Sequence, residues 1–190
     1  MSQPIPHPSD DDIYLTLDEY LTLPEEEGWR IELTRGRLVR EPGPGFPHAT
    51  VQALLVTALT NHARATGAGR VADNGSFILD AEPGTVRVPD IAFVVKGRSP
   101  RGYSAALPRL APDLVVEILS PSNRAGDMQE RLRDYFDAGV RLIWVVDPRR
   151  RTAAVYRPHA SAELLGPAGI LAGGDVLPGF RLPIADLFED

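Results

Sequence analysis

Residues 87–98 read RVPDIAFVVKGR and, after a connector, residues 111–120 read APDLVVEILS. Both are apolar, β-branched runs of strand length. Each carries one carboxylate where a buried strand should not hold one, Asp90 in the first and Glu117 in the second. Alternation along a strand puts Asp90 on a face with Val88 and Ala92, and Glu117 on a face with Val115 and Leu119, so both acids are set among apolar neighbours. If the strands pair, the carboxylates approach to about 4–6 Å. Two unit charges at ~4 Å repel by roughly 4 kcal/mol at an effective dielectric of about 20. A chain that keeps such a pair needs a cation, a proton or a partner between them.

Downstream, SPSN is a cap for a helix over residues 125–138 that Gly139 closes. Met128, Leu132, Tyr135 and Phe136 form its apolar stripe, and Arg131 falls about 85° from the stripe's centre at ~100° per residue, on the border of core and solvent. RLIWVVDP is a buried strand, DPRRR a turn and TAAVYRP its hairpin partner; the glycine-rich C-terminal third holds short strands or turns. Upstream, LTLDEYL is a short helix with Thr16 as N-cap, and WRIELTRGRLVRE is a hairpin whose turn is signalled by Thr34-Arg35-Gly36. EPGPGFP is a loop leading to a long helix that begins at His48 and ends at Gly67. Its stripe is Val51, Leu54, Leu55, Ala58, Leu59 and His62. One strand lies within residues 69–80. Residues 97–111, rich in Pro, Gly, Arg and Ser, form a mobile connector long enough to be a functional loop. The plan is mixed α/β, a central sheet flanked by helices.

With 190 residues and 43% hydrophobic residues, the chain is long enough for one domain with a full core. The division expected is a flexible acidic leader over 1–12 and a single domain over 13–190. The absence of cysteine excludes disulfides, thiolate nucleophiles and cysteine zinc sites, and fits a reducing cytoplasm. No signal-peptide pattern and no membrane-spanning apolar run is present, so a soluble, cytoplasmic protein without a membrane partner is expected. The net charge of −6 is unevenly spread: residues 1–32 carry nine acids and one arginine, residues 158–190 five acids and one arginine, and the middle therefore sums to +6. A phosphate-bearing ligand is not excluded by the overall charge.

The ordered set IELTRGRLV, GFPH, VPDIAFV and PDLVVEILSPSNRAGDMQERLRDYFDAGVRLIWVVDP resembles the Uma-type family, bacterial proteins grouped with restriction endonucleases in the PD-(D/E)XK nuclease superfamily. The resemblance covers about residues 15–165. It implies a restriction-endonuclease-like αβββαβ core, here with an N-terminal hairpin and C-terminal short strands added. It also implies a Mg2+- or Mn2+-dependent endonuclease with Asp90 and Glu117 as metal ligands, the Ile118 carbonyl as a third, and a metal-activated water as nucleophile. The nearer acid, Asp113, is four residues from Glu117 on one strand, about 13 Å away at ~3.3 Å per residue, too far to share an ion.

The superfamily lysine two residues after the glutamate is Leu119 here, and the Uma-type position on the following helix is Arg131. Arginine can grip a phosphate bidentately but is a poor proton acceptor, its pKa lying above about 12. The base would then be a metal-bound hydroxide, the substrate phosphate or a nearby side chain. The plainer reading of Arg131 is a salt bridge to Asp127 or Asp134 on its own helix. Glu32, on the first hairpin, and His48 are auxiliary candidates, against exposed strand charge and a surface helix-start histidine; His62 reads as partly buried structure. Asn123 and Asp127 suit capping as well as the site, and Arg149 to Arg151 form a basic turn. The expected substrate is nucleic acid, DNA first. The alternative is a catalytically impaired nuclease-fold module that binds nucleic acid or a protein; a hydrolase of another phosphorylated substrate is a third possibility. Cutting a duplex takes two sites or sequential nicks, so a homodimer is expected, with the C-terminal strands or the Trp144 region at its contact.

Overall fold

The computed structural model describes residues 13–99, 106–120 and 125–188. The acidic leader, the middle of the connector, and the Pro121–Arg124 segment with its cap and Asn123 lie outside the described residues. Helix α1 (Leu17–Leu21) starts where expected. Thr16 accepts the Glu19 amide at 3.2 Å while Glu19 accepts the Thr16 amide at 2.7 Å, a reciprocal capping box. Strands β1 (Trp29–Thr34) and β2 (Arg37–Pro42) form the hairpin. Arg35 and Gly36 both have positive φ, which matches the strand twist in a two-residue turn.

Helix α2 (Phe46–Thr66) begins two residues before His48, with Pro47 in its first turn and Gly67 ending it in the left-handed conformation. Its buried stripe is His48, Val51, Gln52, Leu55, Leu59 and Ala63, rotated from the expected one so that Leu54 faces outward. His62 is half-buried, with its ring edge-on to Phe180 at 5.4 Å, in line with its reading as structure.

Two expected strands each divide in two. The segment 69–80 is β3 (Gly69–Asp73) and β4 (Phe77–Asp80), broken at Asn74, whose φ of 49° an asparagine tolerates. RVPDIAFVV is the end of β5 (Thr85–Arg87) and then β6 (Ile91–Val95), broken at Pro89, which has no amide to give a ladder. Strand β7 (Leu114–Ile118), α3 (Ala125–Asp137) and β8 (Leu142–Asp147) follow. The chain continues through β9 (Thr152–Tyr156), β10 (Glu163–Leu165), β11 (Ile170–Ala172), β12 (Arg181–Pro183) and a 3-10 turn at Ala185–Leu187.

The main sheet has the order β10-β9-β8-β7-β6-β3; β7 and β8 run parallel and the other pairs antiparallel. Along the chain its core reads α2-β3-β6-β7-α3-β8, the αβββαβ plan, with β4 and β5 inserted into a second sheet ordered β2-β1-β5-β4. One face of the main sheet packs Leu114, Val116 and Trp144 against Leu55 and Leu59 of α2 and against Phe180. The other packs Val115, Ile143 and Val145 against Tyr135 of α3. Glu117 alternates onto the α3 face, beside Val115, as its strand requires. Trp144 is fully enclosed, with its ring stacked 5.6 Å from Phe180, and so offers no surface to a partner. No helix among the described residues is long and apolar enough to cross a membrane.

Candidate active site

Asp90 occupies the corner where the chain leaves the β5 sheet and enters the main sheet. Ile91 pairs with Val116 on β7, which brings Asp90 level with Glu117 and Ile118. Each carboxylate oxygen of Asp90 has partners. The Ile118 amide donates to Oδ2 at 2.6 Å, His48 Nε2 lies 3.1 Å from the same oxygen, and the Arg30 guanidinium donates to Oδ1 at 2.6 Å. Gln52 donates to the Asp90 carbonyl at 3.0 Å, so α2 fixes both the side chain and the backbone of this residue. Burial alone would raise the Asp90 pKa; the His48 hydrogen bond and the Arg30 charge outweigh it and hold the carboxyl below the usual range. His48 Nδ1 is buried without a partner, so Nε2 toward Asp90 is the ring's one polar contact.

Glu117 has a different environment. It accepts the Tyr135 hydroxyl at 2.5 Å, and Arg131 stands 3.5 Å from the same oxygen. Burial pushes its pKa up to about 7; Arg131 pulls it back and the nearby charge of Asp90 adds to the rise. One carboxylate is thus held ionised and its neighbour is poised to gain or lose a proton near neutrality, the divergence expected of two acids sharing one site. Asp90, Glu117, Ile118 and His48 line one cleft of about 200 Å³, together with Arg30, Glu41, Ser120 and the Gly43–Gly45 loop.

Arg131 is buried, 2% exposed, and does not stand at a core–solvent border. It does not pair along its own helix either. Its guanidinium reaches Glu32 at 2.8 Å and Glu41 at 2.8 Å, with Glu117 beyond. Asp134 is taken by Arg87 and Arg35. Glu32 is fully enclosed rather than exposed on its strand: one oxygen accepts the Val88 amide and Arg131, the other accepts Arg87 at 2.8 Å. Burial would raise the Glu32 pKa, but Arg131, Arg87 and the Val88 amide hold it at about 2. Glu32 and Arg131 thus form the floor behind the cleft, tying the hairpin to α3, and neither side chain lines the cleft itself.

Among the described residues no three His, Asp or Glu side chains make a ready coordinating cluster. A hard divalent ion such as Mg2+ often takes only one or two protein carboxylates and keeps several waters. Asp90 and Glu117 offer two acidic oxygen donors in one cleft, the number such an ion takes, provided the Arg30 guanidinium gives way at Asp90. Asp127 is exposed on the first turn of α3 and does not line the cleft, and Arg150 in the basic turn pairs with Asp147 at 2.8 Å.

Sequence reasoning brought Asp90, Glu117, Ile118 and His48 together and missed Arg30, Glu41 and Tyr135. Tyr135 was legible only as a core residue of its stripe. Arg30 and Glu41 sit on the two strands of the hairpin and face each other in register, so the alternation that marks Glu32 could also have marked them.

Residues 17–185 match the Uma2 family, described as "Putative restriction endonuclease". No curated protein matches the chain. Among solved structures the chain is similar to one described as a "putative nuclease belonging to DUF820 from Anabaena variabilis", with 28% identity, 92% of this chain and 97% of that chain covered, and a TM-score of 0.82. Both likenesses support a nuclease role. With the αβββαβ core already in place, a match over nearly the whole domain means that the chain belongs to the Uma2 family.

Proposed function

We propose that the protein is a metal-dependent endonuclease that hydrolyses phosphodiester bonds of nucleic acid, DNA first, at the cleft between Asp90 and Glu117. The observation that carries the reading is the split pair: two buried carboxylates lining one cleft, one held ionised by His48 and Arg30, the other raised to about 7. Restriction-endonuclease-like proteins as a class use divalent metals. Asp90, Glu117 and the Ile118 carbonyl would hold Mg2+ or Mn2+, which would supply Lewis-acid stabilisation of the phosphate and activation of water.

The chain's own groups do the rest. His48 and the Ile118 amide fix the Asp90 carboxylate in one orientation, and Tyr135 does the same for Glu117. Arg131 serves as a positioning residue that neutralises Glu32 behind the cleft and Glu41 at its wall; gripping a phosphate itself would require it to abandon a buried carboxylate. Glu41, a quarter exposed at the cleft wall, is an additional acid within the site.

Calorimetry with Mn2+ tests the assignment. Binding is expected in the wild type and is expected to vanish in Asp90→Ala and in Glu117→Ala, with both variants folded by circular dichroism; unchanged binding in both removes the site. Two cuts in one duplex take two such sites or sequential nicks, and two-fold oligomers are the commonest solution, so the acting species is taken as a homodimer. A strictly monomeric mass by light scattering at tens of micromolar contradicts that part.

A further inference from the structure

The residue at the family's lysine position, Arg131, does not line the cleft and its guanidinium is held by Glu32 and Glu41, so the positive charge that a phosphate would meet must come from elsewhere. Among the described residues Arg30 is the only lysine or arginine lining the cleft that holds Asp90 and Glu117. It projects from β1 and also lines a second, larger groove of about 790 Å³, beside Tyr20 and Trp29, so this one residue borders both spaces. Its side chain is 14% exposed, against 3% for Arg131. One of its terminal nitrogens donates to the Val88 carbonyl at 3.0 Å and the other to Asp90 Oδ1 at 2.6 Å. The remaining N–H donors of the fork are left for an incoming oxygen. Arg131, by contrast, spends its fork on Glu32 and Glu41.

We propose that Arg30 is the phosphate-binding cation of this site, and that its ion pair with Asp90 is the resting arrangement of the metal-free protein. The inference rests on the nuclease reading above. Asp90 is the group an ion would need, and the guanidinium occupies one of its two oxygens. A divalent ion and Arg30 therefore compete for that oxygen. When the ion takes it, the arginine keeps its anchor on the Val88 carbonyl and turns its freed donors to the non-bridging oxygens of a phosphodiester lying from the groove into the cleft. Arginine suits that task through its planar, bidentate fork.

The competition gives the two ligands opposite responses to one substitution, which a merely structural arginine would not show. In Arg30→Gln, which can still donate to Val88, Mn2+ titrated alone by calorimetry is expected to bind about tenfold tighter, because a charged hydrogen bond to Asp90 no longer has to be broken. A short single-stranded oligonucleotide followed by fluorescence anisotropy, with Ca2+ in place of Mg2+, is expected to bind about tenfold more weakly and with a salt slope reduced by about one. Arg30→Lys keeps the charge and is expected to recover most of the oligonucleotide affinity, which also covers the case in which Arg30→Gln does not fold. A wild type that binds neither Mn2+ nor oligonucleotide removes the nuclease reading and this inference with it. A wild type that binds both, with either affinity unmoved in Arg30→Gln or with Arg30→Lys as weak on the oligonucleotide as Arg30→Gln, overturns the assignment of Arg30 alone.

Discussion

Glu117→Gln is expected to stabilise the metal-free protein at pH 8 by up to about 3 kcal/mol, at ~1.36 kcal/mol per pKa unit, and to leave stability at pH 4 nearly unchanged. The sign follows from where the proton sits. Burial raises Glu117 from 4.5 to about 7 in the fold, so between those values the folded state holds a proton that the unfolded chain has lost. Its contribution is therefore fully present below pH 4.5 and disappears as pH rises through 7. Glutamine keeps the neutral form at every pH and still accepts the Tyr135 hydroxyl. Glu32 and Asp90 act in the opposite direction: both are lowered in the fold, and their contribution is lost in acid, for Glu32 as pH falls from 4.5 through about 2. Urea denaturation at pH 4, 6 and 8 reads the Glu117 contribution, and a Glu117→Gln variant no more stable than wild type at pH 8 contradicts the raised pKa.

Glu32→Ala is expected to cost about 3–5 kcal/mol, the size of breaking a buried charge pair from one side. The loss leaves the Arg87 and Arg131 guanidinium groups and the Val88 amide without their shared acceptor in a space that water does not reach. Glu163→Ala removes a carboxylate that is also ion-paired, to Arg157, but on the surface. Its cost should stay under about 1 kcal/mol. Chemical denaturation of the two variants side by side separates the cases; a Glu32→Ala loss as small as that of Glu163→Ala would show that the buried network does not hold the hairpin to α3.

The parts of the fold read correctly from sequence are those in which one local rule suffices. Thr16 marks the N-cap of α1 by residue type alone, and Gly67 stops α2 by conformation alone. Apolar alternation located β7 and placed Glu117 on the face of Val115. The family resemblance, carried by VPD and VVEILS, brought Asp90 and Glu117 to one place. What escaped depends on contacts between distant segments. Pro89 breaks one apolar run into strands of two sheets, and nothing in RVPDIAFVV itself says that a second sheet is waiting for its first half. Arg30 meets Asp90 across 60 residues and Arg131 meets Glu32 across 99. The helical wheel put Arg131 at a border because it knows only α3; the hairpin that covers that border comes from β1 and β2. The stripe of α2 shifted for the same reason, since Gln52 is drawn inward by Asp73 and the Asp90 carbonyl while Leu54 is left outside.

Arg131 is the place where sequence and structure give the most different chemistry. At the family's lysine position it suggested a phosphate contact, whereas its three carboxylate neighbours make it the counter-ion of Glu32 behind the cleft and of Glu41 and Glu117 in its lining. Arginine fits that position better than lysine would, because one planar fork can serve Glu32 and Glu41 at once.

Cleavage of supercoiled and single-stranded DNA by the wild type and by Glu117→Gln, side by side in Mg2+ and in Mn2+, tests the central assignment most directly. Glutamine preserves the shape and the Tyr135 hydrogen bond while removing the charge, so loss of activity cannot be put down to loss of fold. Metal-dependent nicking or cutting by the wild type is expected, with Glu117→Gln slower by a factor of about 100 or more, the usual size for losing one transition-state charge contact. A wild type as inert as Glu117→Gln on both substrates in both metals would contradict the assignment.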